Sequence, residues 1–439
     1  MLLIRNGTVL DGEGMRKKDI LIDESGVIVR LEDSISSIEN IEEIDVDKFV
    51  VAPSFVDMHT HLRVPGNEEA EDIESATTAA VLGGFTHLVA MPNTDPVIDS
   101  VSKVFDLKRR IQNSNAKCEI IISSAITCGR MGKELVDFRD LSQMGIMYFT
   151  DDGNGVDDPE LFDFALALAQ EYGVTVAQHL EFKEFRENKY FVNEGEVSSY
   201  LGMSGIKAVS EEAMLARDLA IAAHYNVHYH AMHVSTRRSV ELIRIAKQAG
   251  INVTAEVTPH HLLLDEREVL KLDSTSFVNP PLRTEEDCLA LRKGILDGTI
   301  DAIATDHAPH LNEVKDQPFI STAPGFIGLE SAFRVSLSAI CKTSKFGDVV
   351  PQGAESVVKA MSLNPAKILK ISGKSEGGLG VGSVAEIVVL DMNSVSNLDA
   401  SSFSSKSRNT PFDGMELRGK VVHTIRKGKL VVKNGILQS

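Results

Sequence analysis

The chain has 439 residues, of which 43% are hydrophobic and 25% charged, as in a folded globular protein. Its formal net charge of −18 argues against nucleic acid or an anionic membrane as a general partner. No apolar run approaches the roughly 18 residues of a membrane span, and the start lacks the order of a signal peptide. The four cysteines are scattered without a CxxC pair, as is typical of a reducing compartment. We therefore expect a cytoplasmic protein that binds neither nucleic acid nor membrane.

Both ends of the chain carry short apolar, β-branched segments separated by turn residues. These segments are residues 2–4, 19–22, 27–31, 385–390, 420–427 and 429–432. Neither set is large enough to form a core alone, so we expect the two sets to pair into one small β-sandwich domain. The expected boundaries are 1–52 and 373–439 for this domain and 53–372 for the domain between.

In the middle of the chain, strand-like and helix-like segments alternate. The predicted strands are residues 51–59, 85–90, 119–125, 146–150, 174–179, 227–233, 252–257 and 301–305. The predicted helices are residues 73–82, 101–112, 133–142, 160–172, 210–224, 237–248 and 285–296. Repeated β-then-α order implies parallel strands joined by crossover helices. The sequence therefore predicts the α/β class, with a closed, TIM-like (β/α)₈ barrel.

Histidines and aspartates stand where several predicted strands end, which is where such barrels carry their catalytic groups. Residues i and i+2 of an extended strand point the same way, so the first two histidines can share one ion. Imidazole with carboxylate is an ordinary ligand set for zinc and related metals. The strand ends therefore predict a divalent metal site. They carry His59 and His61, Asp151 and Asp152, His179, His233 and Asp306.

Longer motifs surround these strand ends. They are DMHTHLRVPG at 57–66, AMPNT at 90–94, FTDDG at 149–153, HVST at 233–236, TPHH at 258–261, NPPLR at 279–283, IATDHAPH at 303–310 and TPFDG at 410–414. In content and order they resemble the dihydroorotases of the amidohydrolase superfamily, over nearly the whole chain. The resemblance implies a zinc-dependent cyclic amidase that reversibly closes N-carbamoyl-L-aspartate to (S)-dihydroorotate in pyrimidine biosynthesis.

The resemblance implies a role for each histidine of the strand ends. His59 and His61 would hold the more buried zinc ion, and His179 and His233 would hold the second. Asp306 would bind the first ion and act as general acid and base.

A bridging ligand between the two ions is the open point. Many superfamily members use a carboxylated lysine, but the fourth strand end here has none. This matches bacterial-type dihydroorotases, in which an aspartate takes the place of the lysine. We assign that role to Asp151, with Asp152 as the close competitor, and leave one or two zinc ions open.

The resemblance also implies a site for the carboxylate that distinguishes dihydroorotate from related rings. A buried anion needs fixed donors, and an arginine fork suits a carboxylate. Arg63 would supply that fork, with Asn93 and His310 as further carboxylate contacts. Asn279 and the backbone of Pro324 and Gly325 would hold the ring.

Two other functions remain open at this stage. One is a related cyclic amidase acting on hydantoin, dihydropyrimidine or allantoin rings, where allantoinases have asparagine at the position of Arg63. The other is an inactive structural partner of aspartate transcarbamoylase, although such proteins lose metal ligands that this chain keeps. From the family we expect a homodimer, with a complex with aspartate transcarbamoylase as a further expectation.

Some polar segments are assigned no function. The acidic runs at 68–71 and 181–187 are interpreted as solvated faces. The serine-rich segment 393–407 is interpreted as a surface connection. His307 is expected to point away from Asp306, because neighbouring strand residues alternate.

Overall fold

The computed structural model describes residues 1–186, 190–341, 350–371 and 378–438. The chain opens with β1 (Leu2–Asp11), β2 (Gly14–Ile22), β3 (Ile28–Glu32), β4 (Glu42–Asp45) and β5 (Val50–Pro53). Strands and helices then alternate in the order β6 (Phe55–Thr60), α1 (Ile73–Leu82), β7 (Phe85–Ala90), α2 (Val101–Gln112), β8 (Glu119–Ile122), α3 (Phe138–Gln143), β9 (Tyr148–Phe149), α4 (Pro159–Tyr172) and β10 (Thr175–Gln178).

The second half of the alternating region contains more helices. It continues with α5 (Lys183–Arg186), α6 (Glu196–Tyr200), α7 (Ala208–Tyr225), β11 (Tyr229–Ala231), α8 (Arg237–Gln248), β12 (Val253–Val257), α9 (Pro259–Leu263), α10 (Glu285–Asp297) and β13 (Ala302–Ile303). The chain ends with α11 (Asn312–Lys315), α12 (Ala332–Ile340), α13 (Ala354–Met361), α14 (Leu363–Ile368), β14 (Ile387–Asn397), β15 (Glu416–Arg426), β16 (Lys429–Lys433) and β17 (Ile436–Leu437). In the described ranges, no helix is long and apolar enough to cross a membrane.

Strands β6 to β13 form the predicted parallel barrel. They pair in two arcs, β6-β7-β8 and β9-β10-β11-β12-β13. Parallel bridges between Ser124 and Phe149 and between Thr60 and His307 join the arcs and close the ring. All eight strands therefore end at the same rim, which brings together the residues that follow them.

Three helices have the bounds that the sequence predicts, whereas the helix predicted at 133–142 begins only at Phe138. The helices predicted at 73–82, 101–112 and 237–248 have those bounds in the structure. Asp72 caps α1 by accepting a hydrogen bond from the backbone of Ser75, which is a capping box. Gly173 ends α4 in the left-handed region at φ 65°, where a glycine carries no steric penalty.

The predicted strand 51–59 is two strands in the structure. β5 pairs with β1 and β14, while β6 pairs with β7. The chain thus passes from the small sheet to the barrel at Ser54, close to the expected boundary after residue 52. The other expected boundary, between 372 and 373, lies outside the described residues.

The small domain combines both ends of the chain, as the sequence predicts. Among the described residues its strands form one nine-stranded sheet in the order β17-β16-β15-β14-β5-β1-β2-β3, with β4 beside β1. This sheet surrounds a core to which both ends contribute, for example Ile4 and Val9 from β1 and Ile387 and Ile425 from the C-terminal strands. Neither end could bury this apolar surface alone.

The barrel interior is filled by side chains rather than open. Met58, Val89, Tyr148, Met232 and Ala302 form one buried cluster, and they come from different strands or strand ends. A filled interior leaves the rim as the place where a ligand can enter.

The serine-rich segment 393–407 is a surface connection only in part: residues 395–397 and 401–402 are exposed, but Ser405 and Ser407 at its C-terminal end are not. Its first residues belong to β14, which ends at Asn397. Ser405 and Ser407 are buried, at 2% and 3% exposure, against the barrel rim. Serine-rich composition indicated a loop, but it carried no information on where that loop packs.

Glu330 lies beneath this segment and gives a testable pH dependence. Its carboxylate accepts hydrogen bonds from the backbone of Ser404 (2.6 Å) and Ser405 (3.4 Å). Burial raises its pKa from 4.5 to about 7, against these hydrogen bonds. A raised carboxyl pKa means that the contribution to stability is fully present below pH 4.5 and is lost as the pH rises through 7.

We therefore expect Glu330→Gln to be more stable than the unmodified chain by about 1–3 kcal/mol at pH 8, and much less so at pH 5. Urea unfolding at both pH values measures this difference. An equal change in the free energy of unfolding at pH 5 and pH 8 would contradict the assignment.

Candidate metal centre and adjoining pocket

Four histidines and two aspartates meet at the rim. His59 Nε2 lies 3.3 Å from Asp152 Oδ1 and 3.5 Å from Asp306 Oδ1. His61 Nε2 lies 2.9 Å from Asp306 Oδ1. Two groups of three residues hold potential ligand atoms within 4.8 Å of one another: His59, Asp152 and His233, and His59, His61 and Asp306.

The second pair of histidines adjoins the first. His179 Nδ1 and His233 Nε2 are 2.8 Å apart, and each lies 3.7 Å from Asp152 Oδ1. Asp152 therefore stands between the two histidine pairs. Its carboxylate is thus within 3.7 Å of a histidine of each pair.

The preference for Asp151 as the bridging group is corrected by this geometry. The Asp151 carboxylate faces away, accepting hydrogen bonds from the backbone of Ile126 (2.8 Å) and Thr127 (3.0 Å) and from the Thr127 hydroxyl. Arg130 donates to the carbonyls of both aspartates and fixes the turn. Adjacent residues at a strand end point to opposite sides, so only one can reach the histidines.

The donor set fits a metal ion. His59 Nε2 is buried and has no hydrogen-bond partner among the described residues, although two carboxylates lie nearby. Buried polar atoms are normally satisfied. Four imidazoles with two carboxylates form a donor set that suits zinc or a similar divalent ion.

The electrostatics of the cluster also favour a bound cation. Burial disfavours a charged His59, but Asp152 and Asp306 outweigh burial and hold its pKa well above the usual value. Burial would raise the pKa of Asp306, but His59 and His61 hold it well below its ordinary range. The carboxylates thus favour positive charge where the histidines meet, and a bound cation supplies such charge.

Two carboxylates that orient the histidines were missed by the sequence analysis. Glu256 Oε1 lies 2.9 Å from His59 Nδ1, and Glu181 Oε2 lies 3.4 Å from His179 Nε2. Such carboxylates fix the orientation of a metal-binding imidazole. A signal for Glu256 existed, because it is the one charged residue in the strand Val253–Val257. Glu181 was hidden in an acidic run, and its 6% exposure corrects the interpretation as solvated for this residue. Lys183 and Glu184 of the same run are exposed as expected, and Glu187 lies outside the described residues.

A pocket of about 230 Å³ adjoins the cluster. Its lining includes every residue that the resemblance assigned to the substrate. Those residues are Arg63, Asn93, Asn279, His310, Pro324 and Gly325. Arg186 and Phe191 also line the pocket and were not predicted.

Hydrogen bonds within the protein fix the positions of Arg63 and Asn93 in this pocket. Arg63 Nε donates to Pro309 O at 2.9 Å, and its Nη2 lies 3.5 Å from His310 Nε2. Asn93 Oδ1 lies 2.9 Å from His61 Nδ1, so it connects this side of the pocket to the metal cluster. Burial and the neighbouring Arg63 lower the pKa of His310 to about 3, so this imidazole is neutral at pH 7.

His307 points away from the cluster, as expected. Its Nε2 lies 3.3 Å from a carboxylate oxygen of Glu71, and its Nδ1 accepts from the backbone of Gly328 at 3.1 Å. Glu71 is fully buried, which corrects the interpretation of the run at 68–71 as a solvated face for this residue, whereas Glu69 is exposed as expected.

Adjacent aspartates give a matched pair for testing the metal centre. We expect Asp152→Asn to lower the bound metal content and to reduce turnover by at least about 100-fold, since an amide is a poorer metal ligand than a carboxylate. Asp151→Asn should keep its metal content but lose about 1–3 kcal/mol of stability, because a buried acceptor of backbone hydrogen bonds is weakened. Elemental analysis and thermal unfolding separate the two effects. Metal loss from Asp151→Asn alone would contradict the assignment.

The sequence also matches the model of a known protein family. The model of the amidohydrolase family matches residues 50–431. That span covers the whole barrel and most of the C-terminal strands. The chain therefore belongs to the amidohydrolase family.

Curated proteins with similar sequences indicate which members of the family this chain resembles. The chain is 42% identical over 429 residues to the dihydroorotase of Bacillus cytotoxicus, covering 98% of this chain and 97% of the relative. It is 41% identical over 433 residues to the dihydroorotase of Thermoanaerobacter sp. (strain X514), with the same coverage of 98% and 97%. Within its family, the chain thus has dihydroorotases as full-length relatives.

Solved structures share the fold at lower identity. L-hydantoinase (dihydropyrimidinase) from Arthrobacter aurescens has a TM-score of 0.87 and 22% identity, covering 100% of this chain and 97% of that chain. Dihydropyrimidinase from Brevibacillus agri NCHU1002 has a TM-score of 0.82 and 22% identity, with coverage of 99% and 95%. These likenesses confirm the predicted barrel with its β-sandwich domain.

Proposed function

We propose that this chain is a dihydroorotase, which closes N-carbamoyl-L-aspartate to (S)-dihydroorotate in pyrimidine biosynthesis and catalyses the reverse hydrolysis. The observation that carries the proposal is the placement of Arg63, with Asn93 and His310, in one pocket beside the histidine and aspartate cluster. An amide ring bound there has its carboxylate at the arginine and its scissile bond at the cluster.

Arg63 selects the charged ring. Burial lowers its pKa to about 10, so the guanidinium remains charged at neutral pH. Because Nε is occupied by Pro309 O, the terminal nitrogens serve the substrate carboxylate. A site built to pair a charge rejects an analogue that lacks it, because the buried cation is then left unpaired.

Asp306 moves the proton. In ring opening its carboxylate accepts a proton from the attacking water and delivers it to the departing ring nitrogen. In closure the same carboxylate takes a proton from the carbamoyl nitrogen and returns it to the departing oxygen. His61 Nε2 lies 2.9 Å from Asp306 Oδ1, and a metal ion held by the neutral imidazoles of His59 and His61 would keep this carboxylate ionised, so that it can accept a proton.

We propose zinc as the metal, with Asp152 as the bridging ligand if two ions are bound. His59, His61 and Asp306 would hold one ion, and His179 and His233 the other. A bound divalent ion polarises the scissile carbonyl and makes a water nucleophile available at neutral pH. Asn279 Nδ2 donates to Glu181 at 2.8 Å and lies 3.3 Å from His179 Nε2. These contacts hold Asn279, the proposed ring-binding residue, next to the histidine pair His179 and His233.

The test is ring opening by the zinc-loaded protein, offered L-dihydroorotate, hydantoin, dihydrouracil and allantoin in parallel. We expect turnover of L-dihydroorotate in strong preference to the three uncharged rings. Preference for an uncharged ring would contradict the carboxylate role of Arg63 and favour a related cyclic amidase. No turnover of any ring, with zinc bound, would favour the structural partner of aspartate transcarbamoylase.

The homodimer, the complex with aspartate transcarbamoylase and the cytoplasmic location stay predictions. Size-exclusion chromatography with light scattering measures the first, and co-purification with the transcarbamoylase measures the second.

A further inference from the structure

A short C-terminal segment crosses the rim of the barrel beside the pocket. We call residues 405–409 the serine strap. Ser405, Ser407 and Asn409 in this strap are buried, at 2%, 3% and 7% exposure. The strap precedes β15, so it reaches the barrel from the part of the chain that otherwise builds the small domain.

One end of the strap contacts Glu71. The Ser405 hydroxyl donates to Glu71 Oε2, and the backbone N–H of Lys406 donates to Glu71 Oε1 at 3.2 Å. Ser75 and His307 are the other two donors to this carboxylate. Four donors saturate a carboxylate, so Glu71 has one fixed position.

Glu71 in turn fixes His307, the residue after Asp306. With Nε2 donating to Glu71, Nδ1 is free to accept from the backbone of Gly328 (3.1 Å), so one tautomer is selected. The carbonyl of His307 accepts from the backbone N–H of His61 at 2.9 Å. His307 therefore joins the two elements that carry His61 and Asp306.

Asp306 needs this support because of its backbone. Its φ is 49°, in the left-handed region that non-glycine residues avoid. Such a conformation persists only when surrounding contacts determine it. The side chain of His307 is anchored directly after this strained residue, so it restrains the backbone from which the Asp306 carboxylate projects.

The other end of the strap contacts the substrate pocket. Ser407 Oγ lies within donating distance of the carbonyls of His310 (2.8 Å) and Ala70 (3.1 Å). Asn409 Nδ2 donates to Gly325 O at 3.2 Å. His310 and Gly325 both line the pocket, so this end acts on substrate-binding groups.

We propose that the serine strap positions the active site through two routes: Ser405, Glu71 and His307 align Asp306, and the hydroxyl of Ser407 aligns His310. The routes meet where the backbone N–H of Ser407 donates to Ser405 Oγ at 3.2 Å. The residues are positioning residues, since none of them reaches the pocket. This inference rests on the proposed function, in which Asp306 moves the proton and His310 contacts the substrate.

The test uses two serine-to-alanine variants of the zinc-loaded full chain. Ser405→Ala is expected to lower kcat for L-dihydroorotate about three- to tenfold with KM changed less, because the hydroxyl loses its hydrogen bond to Glu71 and the one it accepts from the backbone of Ser407 at 3.2 Å. Ser407→Ala is expected to raise KM by a similar factor with kcat nearly unchanged. A purely structural role would lower the active fraction of both variants alike and would give no such split.

Two further variants distinguish an effect through Glu71 and His307 from a general loss of stability. Glu71→Gln keeps the size of the side chain but cannot accept four hydrogen bonds, and it is expected to lower kcat about 10- to 100-fold. Ser404→Ala is the control, because its hydroxyl has no hydrogen-bond partner in the described part of the chain and it lies outside the strap. Zinc content is measured for every variant.

Hydrogen exchange of residues 304–312 provides a readout that does not require activity. We expect faster exchange there in Ser405→Ala and Glu71→Gln but not in Ser404→Ala. Unchanged exchange and unchanged kcat in Ser405→Ala would overturn the proposal, as would equal shifts of kcat and KM in both serine variants. Absence of turnover in the unmodified chain would instead contradict the proposed function, and exchange would still decide the role of the strap.

Discussion

Replacing Arg63 with methionine is expected to lower kcat/KM for L-dihydroorotate by about 10³- to 10⁴-fold, with zinc content unchanged. Methionine retains much of the apolar stem but removes the cation that lines the pocket. The substrate carboxylate would then enter a buried site without a counter-charge. Steady-state kinetics in the ring-opening direction, together with elemental analysis, measure both quantities.

Arg63→Lys is the matched control for this loss. Lysine keeps the charge but cannot offer two parallel donors, so we expect activity between that of the methionine variant and that of the unmodified chain. Any weak activity towards dihydrouracil should change little in either variant, because this ring has no carboxylate. A similar fall for charged and uncharged rings would show that Arg63 supports the fold rather than the substrate.

Replacing Asp306 with asparagine is expected to reduce turnover about 10²- to 10⁴-fold in both directions, because the amide cannot accept the proton. Asparagine keeps the size of the side chain and one oxygen facing His61. Binding of dihydroorotate, measured by calorimetry, should therefore remain within a few-fold. Loss of binding together with turnover would argue that Asp306 acts on affinity instead.

Asp301 provides a control on the same stretch of chain. It lies at the opposite end of the barrel strand and pairs with Lys247 at 2.7 Å. Asp301→Asn should leave kcat within about twofold, because a partly exposed ion pair contributes little. A large loss of turnover in this variant would mean that Asp306→Asn reports strand stability and not proton transfer.

The histidines of the metal centre could be predicted from the sequence because their geometry is local. His59 and His61 are two residues apart at a strand end, and that spacing puts both on one side. His179 and His233 follow later strands of a barrel whose connections all return to the same rim. The order of strands in the sequence was therefore enough to predict that the four histidines lie close together.

The choice between Asp151 and Asp152 could not be made in that way. Both stand at the same strand end, and alternation says only that they face opposite sides. The direction is set by the loop at Thr127, whose backbone and hydroxyl capture the first carboxylate. That loop follows a different strand, so its contact with Asp151 exists only in the folded chain.

Buried acids were the weakest point of the sequence analysis. Glu71 and Glu181 stand in acidic runs whose composition is typical of solvated surface, yet both are buried against histidines. Charge runs indicate exposure because most acids are solvated. An acid that pairs with a buried imidazole is an exception that no local pattern reveals.

By itself, the sequence determined the barrel, the small domain built from both chain ends and the residue types of the site. Periodicity, capping and strand-end motifs are local, and they act before the chain is compact. Two features depend on contacts between distant segments: which aspartate meets the histidines, and the packing of residues 405–409 against Glu71. These contacts join segments up to 335 positions apart, as between Glu71 and Lys406. Packing of the whole chain selects them, because each donor and acceptor must find its partner once water is excluded.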